Sequence, residues 1–356
     1  SLAAAGDVSF TGTMPTTDVG IQITSTTNGF NLVGNPFPSY IAANDPADGT
    51  NNLLKVNDAD NDFLTEATIW LWDESSDSYD QINHTSAFFI APGQGFFVSS
   101  NGTNTFSITE TMQSHQSSDS FQRIESERPE IQLVMTDGTI SRDADIFYIA
   151  NTTTGFDNGY DSSIFGGVAN DFAVYTHAVA NGEGRNLGIQ SLPDSNYEDM
   201  VIPIGVNADA GTNLSFTANV VNLPQGLKVI LEDTQTNNFS QLDVTSGEYN
   251  VTLDNSLNGI GRFYLHTTAQ ALGANDLNVN YISIYTSADN SLLNIVGLDD
   301  GKASLALYDL TGKRMLDTTF QSNRVNTITL PELNTGIYIV KIESETGSLN
   351  RKIIIN

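Results

Sequence analysis

Forty-two Asp and Glu residues dominate the chemistry-bearing groups of this 356-residue chain, against 14 Lys and Arg and four His. Glycoside hydrolysis needs two carboxyl groups about 5–10 Å apart, and Glu198-Asp199, Asp143-x-Asp145 and Glu343-x-Glu345 are candidate pairs. With acids this frequent, chance pairs are expected, and each of the three also reads as a loop or an exposed strand. His84, His115, His177 and His266 stand far apart in sequence and read as surface or strand histidines. His-Glu-x-x-His, Gly-x-Ser-x-Gly and Gly-x-x-x-x-Gly-Lys-Ser/Thr motifs are all missing. Gly301-Lys302-Ala303 and Gly312-Lys313-Arg314 lack the upstream glycine and the following hydroxyl, so they read as turns. Zero cysteines exclude disulfides, zinc–thiolate sites, iron–sulfur clusters and thiol catalysis.

Calcium, which takes six to eight hard oxygen ligands, suits the acids better. Asp58, Asp60 and Asp62 lie within Asn57-Asp58-Ala59-Asp60-Asn61-Asp62, and Asp157 and Asp161 bracket Asp157-Asn158-Gly159-Tyr160-Asp161. The first run lacks the glycine and terminal glutamate at EF-hand spacing, and both runs could be turns made by side-chain-to-backbone hydrogen bonds. Trp70 and Trp72, two residues apart, share one face of a strand. If exposed, the two rings form a sugar-stacking platform; if buried, they are core, which the apolar residues around them favour.

The elements that would position these groups are strands. Eighteen Phe, 12 Tyr and 2 Trp supply apolar area, and hydrophobic residues recur in short blocks of period two bounded by Gly, Asn and Asp. Thr68-Ile69-Trp70-Leu71-Trp72 and Asp145-Ile146-Phe147-Tyr148-Ile149 are examples. The expected fold class is all-β: tandem antiparallel β-sandwich domains ending in an immunoglobulin-like seven-stranded sandwich. Polar stretches at Gln113–Ser120 and Thr267–Asp276 mark the divisions. They give a domain at 1–115, incomplete at its start, a second at 122–268, a linker at 269–276 and a last domain at 277–356. That last domain holds seven bases and eight acids, a balance of −1, whereas the first 276 residues hold seven bases and 34 acids, or −27. Such a shift suggests a separate module. The net charge of −28 makes nucleic acid and anionic membranes poor partners. No apolar run approaches the roughly 18 residues of a membrane span. The start, without Met or an apolar leader, suggests the later part of a longer polypeptide.

The run Tyr308-Asp309-Leu310-Thr311-Gly312-Lys313-Arg314, then Gly336-Ile337-Tyr338-Ile339-Val340-Lys341-Ile342, then Arg351-Lys352-Ile353-Ile354-Ile355-Asn356, resembles the type A C-terminal sorting domain of type IX secretion cargo in Bacteroidetes-type bacteria. The order and spacing agree, and Lys313 stands where Arg is commoner. The resemblance implies an immunoglobulin-like sandwich read at the outer membrane by the translocon and its shuttle barrel protein, and usually removed at the surface. Upstream, Gly29-Phe30-Asn31-Leu32-Val33-Gly34-Asn35-Pro36-Phe37-Pro38-Ser39 and Ala91-Pro92-Gly93-Gln94-Gly95-Phe96-Phe97-Val98 resemble a segment common in large surface proteins of the same system. The expected function is therefore a secreted or cell-surface, non-catalytic, adhesin-like region. The alternative is an accessory or carbohydrate-binding end of a polysaccharide-degrading enzyme, with a surface glycan as partner. No cofactor is required by either reading, calcium being the one candidate.

Overall fold

The computed structural model describes residues 12–115, 128–180, 184–197, 200–269, 283–286, 291–296, 298, 301–322, 325–344 and 347–355. Two compact units emerge, Ser1–Trp72 with Ile82–Ile124, and Asp73–Gln81 with Glu125–Asn356. The molecule is all-β, with 27 strands among the described residues and only two short helical turns, Lys55–Ala59 and Glu110–Met112.

The first unit is built on β1 (Val19–Ile23), β2 (Phe30–Gly34), β3 (Tyr40–Ala42), β4 (Ile69–Asp73), β6 (Phe89–Ile90), β7 (Gly95–Ser99), β8 (Asn104–Ile108) and β9 (Gln113–Ser114); β5 (Ser78–Ile82) pairs into one of its sheets but groups with the second unit as far as Gln81. They form sheets β1-β8, β2-β7-β4-β5 and β6-β3-β9 around Ile23, Phe37, Ile41, Leu53, Leu54, Ile69, Phe96 and Phe106. Strands this short leave many loop amides and carbonyls to satisfy, and each one buried without a partner is costly. Buried asparagines supply the partners. Asn35 donates to the carbonyls of Ser39, Ile90 and Ala91 and accepts from Phe37 N–H. Asn44 donates to Asn83 and Ser86 and accepts from Ala47 and Phe88. Asn57 joins Leu53 and Ser107, accepting from Ser107 N–H at 2.7 Å. The stretch from Gln113 is not a linker at its start: Gln113 and Ser114 pair with Ile41 and Tyr40, and Met112 is core. An edge strand with one wet face can be polar, which is why composition misled.

The next strands are β10 (Glu130–Thr136), β11 (Ser141–Tyr148), β12 (Ser162–Ser163), β13 (Ala173–Thr176), β14 (Leu187–Leu192), β15 (Val201–Ala208), β16 (Asn213–Val221), β17 (Lys228–Asp233), β18 (Asn238–Gln241), β19 (Tyr249–Thr252) and β20 (Leu257–Thr268). Their order is β18-β17-β20-β15-β13-β14-β11-β10-β16-β19, with β12 on β14. One pairing, β11 with β14, is parallel rather than antiparallel; the long excursion between those strands allows it. Phe216 and Phe263 lie on β16 and β20, six strand steps apart in this order. A flat sheet with about 4.8 Å per step would separate them by roughly 29 Å, yet their ring centroids are 4.9 Å apart. The sheet therefore folds back on itself around one core.

A polar clasp closes that fold. Asp233 of β17, fully buried, accepts from Arg262 Nε at 3.0 Å and Nη2 at 2.8 Å, and from Tyr249 Oη of β19 at 2.7 Å. Burial pushes its carboxyl up, but the hydrogen bonds from Arg262 and Tyr249 outweigh this and leave it below the usual carboxylate value. The final strand keeps Thr267 and Thr268 in the ladder against Val229 and Lys228, so those two residues are not part of a break; residues 270–276 of the expected linker lie outside the described residues.

The last seven strands are β21 (Ser283–Thr286), β22 (Leu292–Val296), β23 (Gly301–Asp309), β24 (Arg314–Ser322), β25 (Val325–Thr329), β26 (Gly336–Ser344) and β27 (Gly347–Ile355). Sheets β21-β22-β25 and β24-β23-β26-β27 both contribute to one core of Leu293, Ile295, Leu305, Leu307, Val340 and Ile342.

Asp233→Ala would leave the Arg262 guanidinium, 10% exposed, without its carboxylate. An unpaired buried charge of this kind costs about 3–5 kcal/mol, to be read as a loss of urea-unfolding free energy. A carboxyl depressed in the fold stabilises above its unfolded value and loses that contribution as pH falls through the folded one. The difference between wild type and Asp233→Ala should accordingly shrink below pH 3.8, the ordinary value for this group.

Candidate functional site

The sequence motifs of the last domain converge on its four-stranded sheet. The β23–β24 connection is a tight turn made by Asp309: one oxygen, Oδ1, accepts from Thr311 N–H at 2.9 Å, Thr311 Oγ1 at 2.7 Å and Lys313 N–H at 2.9 Å. These bonds, that from Thr311 foremost, hold the carboxyl below its usual value. Gly312 N–H donates to Asp309 O at 3.0 Å, and Gly312 adopts φ +84°, the left-handed region that favours glycine. A bulge at Leu307/Tyr308 follows and pairs Tyr308 with Arg314.

That turn sets the register, and the register sorts the motif. Tyr338, Val340, Ile353 and Ile355 join Leu305 and Leu307 in the core, and Tyr338 Oη donates to Asn334 O at 2.9 Å. On the opposite, outer face the ladder aligns Arg314, Tyr308, Ile339 and Lys352 across all four strands. Lys341 stands on the same face one row along, opposite Ala306 and Asn350. Arg314 lies 5.8 Å from the Tyr308 ring centroid and pairs with Asp317; Lys341 pairs with Glu343 at 2.7 Å. Lys313 is exposed in the turn, Gly336 opens β26 opposite Ile355, and Arg351 is exposed opposite Val340. The Ile354 side chain and Asn356 lie outside the described residues. Sequence reasoning missed Ile337 and Ile339 as surface residues; counting by two from buried Tyr338 would have found them.

The calcium candidates separate differently. Asp58 is buried in the Lys55–Ala59 turn, whereas Asp60 and Asp62 are exposed. Asp157 accepts from Thr153 N–H at 2.5 Å and Thr153 Oγ1 at 3.1 Å; Asp161, fully buried, accepts from Asp157 N–H at 2.7 Å and Ser191 N–H at 2.6 Å. Those carboxylates close their own loop. Among the described residues no group of three or more acids and histidines is placed to hold a metal ion.

The two tryptophans do not share one fate. Trp70 is fully buried with Phe30 edge-on at 5.1 Å, while Trp72 is 49% exposed. The rings share a face by the pleat, but only one is accessible, so no two-ring platform exists. The hairpin tip beyond Trp72 groups with the second unit, where Arg142 donates to Ser76 O at 2.7 Å and Asp77 O at 3.1 Å. There Asp80 is pushed up to about 6, by loss of solvent first and then by the charges of Asp73 and Asp143. Asp143 belongs to one of the carboxylate pairs picked from sequence; Asp73 and Asp80 were not singled out. Of the histidines, His115 is exposed, His177 is half-buried 2.8 Å from Asn186 Oδ1 with its imidazole pushed down by loss of solvent, and His266 is buried 2.8 Å from Glu232 Oε2.

Two family models match. One, described as a domain of unknown function (DUF8693), spans residues 3–266. The chain belongs to the DUF8693 family. The other, described as a secretion system C-terminal sorting domain, spans residues 283–356. The seven-stranded tail after the DUF8693 region is thus a type IX sorting domain: the chain is cargo of that system, exported across the outer membrane to the cell surface or beyond, and its tail interacts with the secretion machinery. No curated protein matches the chain in sequence. The crystal structure of dimeric latent PorU from Porphyromonas gingivalis aligns with 82% of this chain and 29% of its own, at 8% identity and a TM-score of 0.21. The chain spans under a third of that protein, and a score this low carries no argument.

Two outcomes test this geometry. In the sorting domain, Gly312→Ala meets no atom within 4 Å, so its cost is purely conformational, about 1–2 kcal/mol for an L-residue in the left-handed region; equilibrium unfolding measures it. In the DUF8693 region, a carboxyl raised to about 6 in the fold binds its proton more readily there than in the unfolded chain, so stability falls as pH rises from 3.8 to 6. Asp80→Asn should raise the melting temperature at pH 7 and flatten that fall.

Proposed function

We propose that this chain is a non-catalytic region of a secreted or cell-surface protein. The DUF8693 region is an acidic β scaffold that spaces or presents a binding part, and the sorting domain is the address handed to the translocon and its outer-membrane shuttle barrel. The observation that carries the reading is the sorting of one motif by the pleat. Asp309, Gly312, Tyr338, Ile353 and Ile355 build the turn and core, leaving Arg314, Lys341 and Lys352 on the outer face for a partner. A seven-strand count in two sheets supports an immunoglobulin-like tail. Support for a non-catalytic scaffold comes from the partners of three of its perturbed groups. Asp233 clasps Arg262 and Tyr249, His177 faces Asn186, and Tyr148, pushed up to about 12 by burial, hydrogen-bonds Thr267 at 2.7 Å. Each has a structural task.

Trp72 favours a second reading, the carbohydrate-binding end of a polysaccharide-degrading enzyme. Half-exposed, it shares its sheet face with Leu32, 67% exposed. A single ring beside an aliphatic side chain offers a stacking surface for one sugar.

Expressed in a type IX-competent host, the full chain should become accessible to external protease, and in a translocon-deleted strain it should stay in the periplasm. Periplasmic retention in the competent host would sink the address. Hydrolysis of polysaccharide, peptide or ester by the purified chain would sink the non-catalytic scaffold.

A further inference from the structure

Four of the seven cations of the sorting domain are gathered on one side. Pleat parity places Lys302, Arg314, Lys341 and Lys352 on the outer face of β24-β23-β26-β27. The acids on that face are Asp317 and Glu343, paired with Arg314 and Lys341. Four bases less two acids leave +2 on this one face of a chain whose net charge is −28. Between the cations lies an apolar centre. Tyr308 and Ile339 are adjacent in the cross-strand row, and Ile337, 37% exposed, follows two residues back along β26. Lys352 makes no ion pair among the described residues. Apolar area in the middle with charge at the rim is the anatomy of a protein–protein interface.

We propose that this outer face docks an acidic protein surface of the secretion machinery, with Tyr308, Ile337 and Ile339 at the centre of the contact and Arg314, Lys341 and Lys352 around it. The proposal rests on the address reading and adds the face and the chemistry of its partner. Charge complementarity decides the occupant. The chain's remaining surface repels acidic proteins, so an acidic partner is steered to this one face and turned to the correct orientation. The two ion pairs on the face involve exposed side chains, which contribute little to folding, and the cations are free to be used elsewhere. A flat apolar centre of three large side chains suits a protein better than a lipid headgroup, which would need the cations converging on one point.

The test uses the full chain in a type IX-competent host, reading the fraction accessible to external protease, with the melting temperature of each purified variant alongside. Arg314→Gln with Lys341→Gln and Lys352→Gln should melt as wild type and lose about tenfold in surface-exposed protein, since steering charges act on encounter rather than on the fold. Arg314→Lys with Lys341→Arg and Lys352→Arg keeps the charge and should export normally. Should the triple neutral variant unfold, Lys352→Glu decides, because that exposed side chain holds nothing in the domain; its export should fall. Wild-type levels of export for a folded neutral variant, or for Lys352→Glu, overturn the docking face and leave the address intact. Periplasmic retention of the wild-type chain overturns both. Binding of the purified chain to phosphatidylglycerol vesicles, lost in the neutral variant while export is unchanged, would assign the face to lipid and overturn the protein partner.

Discussion

Every buried backbone amide and carbonyl must have a partner, and in this chain Asn and Asp side chains supply those that the short strands cannot. Asn35, Asn44 and Asn57 hold the loops of the first unit, Asp161 and Asp157 close a loop of the second, and Asp309 makes the turn of the sorting domain. Asp233 does the same work on side-chain donors, joining strands from both ends of a ten-strand path. This constraint gives the acidity a structural meaning. A carboxylate accepts and never donates, so a fold rich in orphan N–H groups selects Asp and Asn at its turns. Part of the acidity thus follows from how the loops are tied, and the same demand explains the Asp157–Asp161 run that resembles a cation loop in sequence.

The sorting domain turns that local rule into a functional surface. Three hydrogen bonds to one oxygen of Asp309 fix the turn; the turn and its bulge fix which residues of β23 and β24 face each other; that register fixes the rest of the sheet. A shift by one residue would exchange the two faces. Leu305, Leu307, Val340 and Ile353 would meet water, and Tyr308, Ile339 and Lys352 would enter the core. The motif read as one signal in sequence therefore holds two kinds of residue. Some make the register and some display its result.

Much of this was legible in the residues, and the failures have physical causes. The strands of the tail could be counted because short apolar and β-branched runs, such as Gly336-Ile337-Tyr338-Ile339-Val340-Lys341-Ile342, recur there about every ten residues with turn residues between them. Trp72 misled because the face it shares with Trp70, opposite Ile69 and Leu71, is covered at Trp70, where Phe30 packs, and open at Trp72. Gln113 and Ser114 looked like linker because an edge strand can be polar on both sides of its chain. The clasp of Asp233, Tyr249 and Arg262 left no trace in sequence: Asp233 and Arg262 meet across the paired strands β17 and β20, and Tyr249 of β19 reaches them only because the sheet curls back. The acid trio of Asp73, Asp80 and Asp143 was equally hidden, as it brings a hairpin tip to a distant strand.

The central claim is that the pleat divides the sorting motif into a buried and a displayed set, and the chain offers a clean way to measure it. It has no cysteine, so single Cys substitutions at Ile339, Lys341 and Lys352, and at Val340, Ile342 and Ile353, each carry the only thiol. Labelling the native protein with a charged maleimide should modify the first three within minutes and spare the second three until denaturant is added. Fast labelling at positions 340 and 342 with protection at 339 and 341, or equal labelling of both sets, would contradict the register on which the account stands.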